Sequence, residues 1–516
     1  MSGVVTRKNI RHLNPKELDN LVWAFFAIQQ LPPNDPNSFF VIAGYHGEPF
    51  RGAGYANPSW WGGYCNHGNH RAYVLRLERA LQSKVPGVAM PYWDETEEFS
   101  LHYGIPPIFL QKTYTFYDNR SPPIPNPLFS YKFQAWITDR LSPIPDANYT
   151  KPVGYETVRY PFSGLVDAMG TLIHNENMSI KGEVETNRML NDNVVKRLNS
   201  SSFKNSCGKS IPAGVNDKFK DCLEAPNYTV FSNTTSAQRW NDDHLSEIGF
   251  QPVVPLESLH NSIHLAIGGF DIPHHGNFDH DAGANGDMGE NDTAAFDPIF
   301  FFHHCFIDLM FWRWQVRHKQ CDSLEIIQGY PGTNSVDSQG PTPGVAGGTW
   351  LTLDSPLDPF KNPHDPTKAI TSKEVINIAN LGYDYDNPEP LLAGPPNQPA
   401  PILTVSNINR AAVSGSFVVS AWALQNDKWI LVGTEAVLSR WQVAGCQNCQ
   451  NHLEVRAHIP MKGWSREETD NMSFKGYLHP RTLKGGVLGG SGPQQGVRES
   501  TIKLSTDHLR SSKSKL

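Results

Sequence analysis

The chain has no apolar run long enough to cross a bilayer, which argues against a helical membrane protein. It has no strong excess of either charge: the formal net charge is -7 and the pI is near 6.3, which gives no reason to expect nucleic acid or an anionic membrane as partner. Its cysteines do not form a disulfide framework. There are 7, an odd number, widely spaced except for Cys446 and Cys449. MSGVVTRKNIRHLNP lacks the apolar centre of a secretory signal, so sequons such as Asn227-Tyr228-Thr229 read as chance matches and the expected location is intracellular. Internal repeats are absent. What remains is an ordinary globular composition, 39% hydrophobic and 18% charged over 516 residues, enough for more than one domain.

Histidine is present in unusual groupings, with 20 in all and many in tight local sets. The apolar periodicity predicts a helix capped by Asn14, opened by Pro15 and carrying Leu18, Leu21, Val22, Phe25 and Ile28 on one face. Further helices are expected over His70–Leu81, Leu256–Ile267 and Pro298–His318. The last is apolar all round and therefore central. Residues 164–250 read as polar loops and short helices in no clear order. Turn-rich segments fill 329–400, followed by alternating strands at Ile402–Val405, Ser416–Leu424, Trp429–Val432 and His452–Ile459. The fold class is thus mainly α, a central helical bundle with long loops plus a small C-terminal β-sandwich. Expected domains are a core at 1–328, a Pro/Gly-rich region wrapping it at 329–400, the sandwich at 401–475 and a disordered tail at 476–516.

Two motifs carry chemistry. His260 and His264, four apart on a helix, share a face and can bind one metal ion. Forty residues on, Asp297-Pro-Ile-Phe-Phe-Phe-His303-His304-Cys-Phe-Ile-Asp308 buries two histidines in an aromatic run. They are either hydrogen-bonded core residues or, through His304, the third imidazole of the same site. The combination H-x-x-x-H with DPIFxxHHxxxD resembles the second copper-binding region of tyrosinases, catechol oxidases and molluscan hemocyanins. The resemblance implies His260, His264 and His304 as copper ligands, with His303 a packing or supporting residue. It also implies that Asp308 orients a ligand imidazole, and that Glu257 and Asn261 hold a water accepting the phenol proton.

An earlier segment, Gly44-Tyr45-His46-Gly47 with Trp60-Trp61-Gly-Gly-Tyr-Cys65-Asn66-His67-Gly68-Asn69-His70-Arg71, resembles the first copper region of the fungal enzymes. That likeness implies His46, His67 and His70 as ligands and a thioether between Cys65 and His67. The family inserts several residues between its second and third histidines, whereas only Gly68 and Asn69 stand there here. A first site on this spacing forms with strain, binds copper weakly, or is lost.

The C-terminal strands resemble the capping domain of fungal pro-tyrosinases. This implies Cys446 and Cys449 in copper delivery, His458 as the plug of the active site, and an activating protease acting in 329–400 or 461–495. The function implied is oxidation of phenols and o-diphenols to o-quinones by two copper ions and O2, leading to melanin-like pigment. A copper-binding relative with an impaired first site, or a hemocyanin-like oxygen carrier, are the alternatives. The terminal Ser514-Lys515-Leu516 matches a peroxisomal address, the cytoplasm being the other placement. A homo-oligomer is compatible with these features.

Overall fold

A computed structural model describes residues 4–50, 66–138, 149–166, 169–199, 203–204, 210–211, 214–247, 249–270, 283–331, 349–362, 365–387, 400–413, 415–438, 453–480 and 503–505. Eight helices matter for the site: α1 Pro15–Gln29, α2 Phe39–Gly44, α3 Asn66–Lys84, α4 Glu183–Asn199, α5 Val215–Cys222, α6 Thr234–His244, α7 Leu256–Gly268 and α8 Ile299–His318. Helix α1 starts where expected. The Asn14 side chain accepts from the Glu17 amide while Glu17 reaches back to the Asn14 amide, a reciprocal cap. Its Leu21, Val22, Phe25 and Ile28 are buried.

Helix α8 is the axis of the core. Phe300, Phe301, Phe302 and Phe306 are fully buried, each stabilising the fold by about 1.5–3 kcal/mol. Phe25 of α1 stacks on Phe302, Phe39 of α2 meets Phe301 edge-on, and Tyr73 of α3 does the same. Within the unordered stretch 164–250, α4 presents Met189, Leu190, Val194 and Leu198 to the core, and its Asn193 Nδ2 donates to the Ala266 carbonyl of α7 at 2.8 Å. No helix among the described residues is long and apolar enough to cross a membrane.

The wrapping segment does more than connect. Leu357, Phe360, Val375, Ile376 and Leu381 enter the main core, and strand β2 (Tyr383–Tyr385) pairs in parallel with β1 (Val5–Arg7). The C-terminal unit contains β3 Ile402–Asn409, β4 Phe417–Gln425, β5 Lys428–Val437, β6 Glu454–Pro460, β7 Phe474–Pro480 and β8 Lys503–Ser505. They form two three-stranded sheets, β5-β4-β7 and β6-β3-β8, sharing one core of Leu403, Val405, Phe417, Val419 and Ile459. The expected limit at 475 is corrected here. Strand β7 runs to Pro480 and pairs with β4 along its length, and β8 pairs with β3. With Gly, His and Pro diluting the apolar pattern of FKGYLHP, it is the ladder with β4 that orders this segment.

Candidate metal centre

Helix α7 brings His260 and His264 to one face, and α8 brings His304 against them. The Nε2 atoms of His260 and His264 each lie 3.2 Å from Nε2 of His304. The opposite nitrogens define the protonation. His264 Nδ1 donates to the Met288 carbonyl at 2.8 Å, and His260 Nδ1 donates to Asn261 Oδ1 at 3.0 Å. A carbonyl oxygen only accepts, so these rings carry their proton on Nδ1 and a bare lone pair on Nε2. His304 can offer a proton from Nε2 to only one of the two, and its own Nδ1 is buried with no hydrogen-bond partner among the described residues. Three lone pairs thus converge with too few protons to reconcile them, and a cation resolves this. Tetrahedral bonds of about 2.0 Å place ligand nitrogens about 3.3 Å apart, close to the spacing here. Burial pushes all three imidazoles down, His260 to about 3, so they are neutral and ready to ligate.

A second group faces the first. One candidate ligand atom from each of His46, His70 and His304 lies within 4.8 Å of the others. His46, just beyond α2, donates from Nδ1 to the Asn291 carbonyl at 2.7 Å, and burial lowers its pKa well below the usual range. His70, in α3, lies with its ring centroid 4.2 Å from that of His304. Phe300 walls the space between them, stacked on His304 at 3.9 Å and edge-on to His46 at 4.5 Å. The side chain of His67, Cys65, the pair Cys446 and Cys449 expected to deliver copper, and Ser514-Lys515-Leu516 lie outside the described residues.

Two expected roles are corrected. Among the described residues, Asp308 makes no hydrogen bond to an imidazole. Its Oδ1 accepts from Arg71 Nε at 2.5 Å, and its Oδ2 accepts from Arg7, Tyr383 and Tyr385. Burial pushes this carboxyl up, but Arg71, Arg7 and the two phenols outweigh that and hold it below the usual range. Because Arg71 follows His70, the network fixes the registry of α3 against α8 and so places His70 beside His304. The orienting task falls instead to Asn261, to the Met288 carbonyl and to the Asn291 carbonyl.

His458 does not point at the histidines either. Its Nδ1 lies 3.2 Å from Thr404 Oγ1 and its Nε2 3.3 Å from Asp242 on α6. Along β6, Val455, Ala457 and Ile459 face the sandwich core, so Arg456 and His458 share the other face and both engage Asp242. The cap is nonetheless close to the metal-binding helix. Ser258 of α7 donates to Glu435 of β5 at 2.5 Å, and Leu265 and Phe270 pack on Val418 and Ala436.

Glu257, one turn before Asn261, is half-buried, and its Oε2 accepts from the Thr234 amide at 2.7 Å and its hydroxyl at 3.0 Å. Burial raises its carboxyl above the ordinary value despite those hydrogen bonds. Sequence reasoning missed Glu95, which is fully buried with Oε1 on Nδ1 of His303. Burial pushes Glu95 well up and His303 down to about 3. No local signal links residues 208 apart.

A helical core that converges neutral imidazoles from separate helices suits a reactive metal centre, for oxygen chemistry or hydrolysis, rather than a structural metal site. Residues 36–317 match the common central domain of tyrosinase. The chain is 47% identical over 517 residues to a tyrosinase of Aspergillus oryzae, covering 93% of this chain and 94% of the relative. It is 45% identical to a tyrosinase of a Hahella species, covering 92% and 91%. The solved tyrosinase of Burkholderia thailandensis superposes with a TM-score of 0.78 at 42% identity, over 92% of this chain and 95% of that one. The chain belongs to the tyrosinase family, whose centre holds two coppers and whose activity is copper-dependent phenol oxidation with O2.

Proposed function

We propose that this chain hydroxylates monophenols ortho to their oxygen and oxidises catechols to o-quinones, with two copper ions held by His260, His264 and His304 on one side and by His46, His67 and His70 on the other. The observation that carries this reading is the convergence of imidazole lone pairs without protons to satisfy them. When bound, the coppers supply O2 activation and electron exchange with the phenol. The chain's own residues fix the ligand tautomers through Met288, Asn261 and Asn291, and exclude water with Phe300. The overall change balances as monophenol plus O2 giving o-quinone plus water. The test is oxygen uptake and quinone absorbance with a monophenol and a catechol after copper loading. Absence of both with two coppers bound sinks the proposal.

Glu257, with Asn261 one turn away on the same face, holds the water that accepts the phenolic proton. Its raised pKa suits a base working near neutrality. Glu257→Gln should lower monophenol turnover by about 10²–10⁴, the usual weight of a positioned base, and catechol oxidation much less. Equal losses for both substrates in steady-state assays count against that role.

The β-sandwich holds the enzyme latent. Lys218 donates to the Thr434 carbonyl at 2.9 Å, Lys462 pairs with Asp221 at 2.5 Å and Arg456 with Asp242 at 3.1 Å, all joining core helices to the cap. Cleavage between residues 388 and 399 with release of the cap should raise turnover about tenfold or more, each tenfold reflecting about 1.4 kcal/mol of docking. Unchanged turnover after verified release argues against latency. Cys446 and Cys449 deliver copper to the core. An activating protease and self-association belong to the same reading.

A second reading rests on the two-residue gap between His67 and His70. If these histidines cannot converge with His46, the chain holds one copper and does not turn over. Copper per chain by elemental analysis separates the two readings.

A further inference from the structure

Lys151 and Asp287 form a fully buried ion pair that the copper chemistry leaves without a task. Lys151 Nζ lies 2.9 Å from Asp287 Oδ1 and also donates to the Gly164 carbonyl. The other oxygen of Asp287 accepts from the Tyr155 hydroxyl at 2.7 Å and from the Val158 amide at 2.9 Å. The Asp287 amide donates back to the Val158 carbonyl at 2.9 Å, so its main chain and side chain are both tied to the 149–166 segment. A buried pair of this kind adds little stability, because desolvation offsets the attraction. What it fixes is position.

The residue it positions is the next one. Asp287–Gly289 is a single 3-10 turn, and its Met288 carbonyl accepts the Nδ1 proton of His264 at 2.8 Å. On its other side the turn lies against the end of α7. The Gly286 amide donates to the Gly268 carbonyl at 2.6 Å, and a Cβ on Gly289 would stand 1.9 Å from the Gly269 carbonyl oxygen. The Met288 carbonyl therefore sits between a charged anchor and a glycine contact, and both set its height over His264.

We propose that Lys151 and Asp287 are positioning residues of the second copper, acting on His264 through the Met288 carbonyl. This rests on the reading that His264 ligates that ion.

The test follows copper loss from the loaded full chain to a chelator, once a copper-edge anomalous map of its crystals has located the ions. Asp287→Asn keeps the shape of the side chain and removes the charge that holds Lys151. It should speed loss of the copper beside His264 about tenfold, the lower end of the range for a residue behind a ligand. Asp19→Asn is the control. It alters a buried carboxylate of α1 that accepts from Tyr114 at 2.7 Å, and should lower the thermal midpoint while copper leaves at the wild-type rate. Wild-type copper kinetics in a folded Asp287→Asn chain, or equal acceleration in the control, overturns the proposal and leaves the functional reading standing. No copper beside His264 in the wild-type map overturns both. If Asp287→Asn does not fold, Tyr155→Phe decides, since it removes a single hydrogen bond to Asp287. It should speed copper loss about twofold or more, the weight of one such bond, and a wild-type rate there overturns the proposal.

Discussion

Replacing His264 with alanine is expected to yield a chain short of the second copper, with phenol turnover no higher than that of metal-free protein. His264 brings a bare Nε2 to within 3.2 Å of His304 and anchors its ring on the Met288 carbonyl at 2.8 Å. Removing it takes away one of the imidazoles that fix the ion and strands that carbonyl, a cost of about 1–3 kcal/mol. Copper per chain, oxygen uptake with a catechol and the thermal midpoint of the metal-free protein check the three consequences. A variant that keeps two coppers and turns over would remove His264 from the centre. Chelation of the wild-type chain should reproduce the loss, and added copper should reverse it, which the variant cannot do. Because metal binds only the folded site, loaded wild-type protein should also melt higher than the chelated form.

The second large effect concerns stability. Asp308→Ala should destabilise the core by about 3–5 kcal/mol, the range for breaking a buried ion pair and leaving its partners uncompensated. Here two guanidiniums, Arg7 and Arg71, and the phenols of Tyr383 and Tyr385 lose a common acceptor. Denaturant midpoints of the wild-type chain and the Asp308→Ala variant measure it, and a change under about 1 kcal/mol would contradict the network's importance. The pH dependence has a definite sign. The folded carboxyl sits below its ordinary value, so its contribution is fully present above the usual carboxylate range. It fades as pH falls below that range toward the depressed folded value, and Asp308→Ala should lose that part of the acid sensitivity.

These outcomes also show what one chain of letters can reveal. His260, His264 and His304 were legible because helical spacing and an aromatic helix are local patterns. The Asp308 role was misread for the same reason. It stands one turn after His304, so a local reading couples them, while the structure couples it to Arg7 and Tyr385, far apart in sequence. Glu95 was invisible because its partner is distant. Helix α4 was obscured because Thr186, Asn193 and Arg197 occupy buried positions on its inward stripe, breaking the apolar signal. His458 was misassigned because a strand alternates its faces, and only the packing of β6 against α6 decides which face meets what.

The β1–β2 pairing has a practical meaning for anyone trimming this polypeptide. Arg7 and Tyr385, each outside the matched stretch 36–317, close over the same carboxylate in the middle of α8. A recombinant fragment cut to that stretch would open the innermost electrostatic knot, so the smallest autonomous oxidase should extend from about Val5 to Asp386, the reach of the β1–β2 ladder and its flanking Asp386–Arg7 bond.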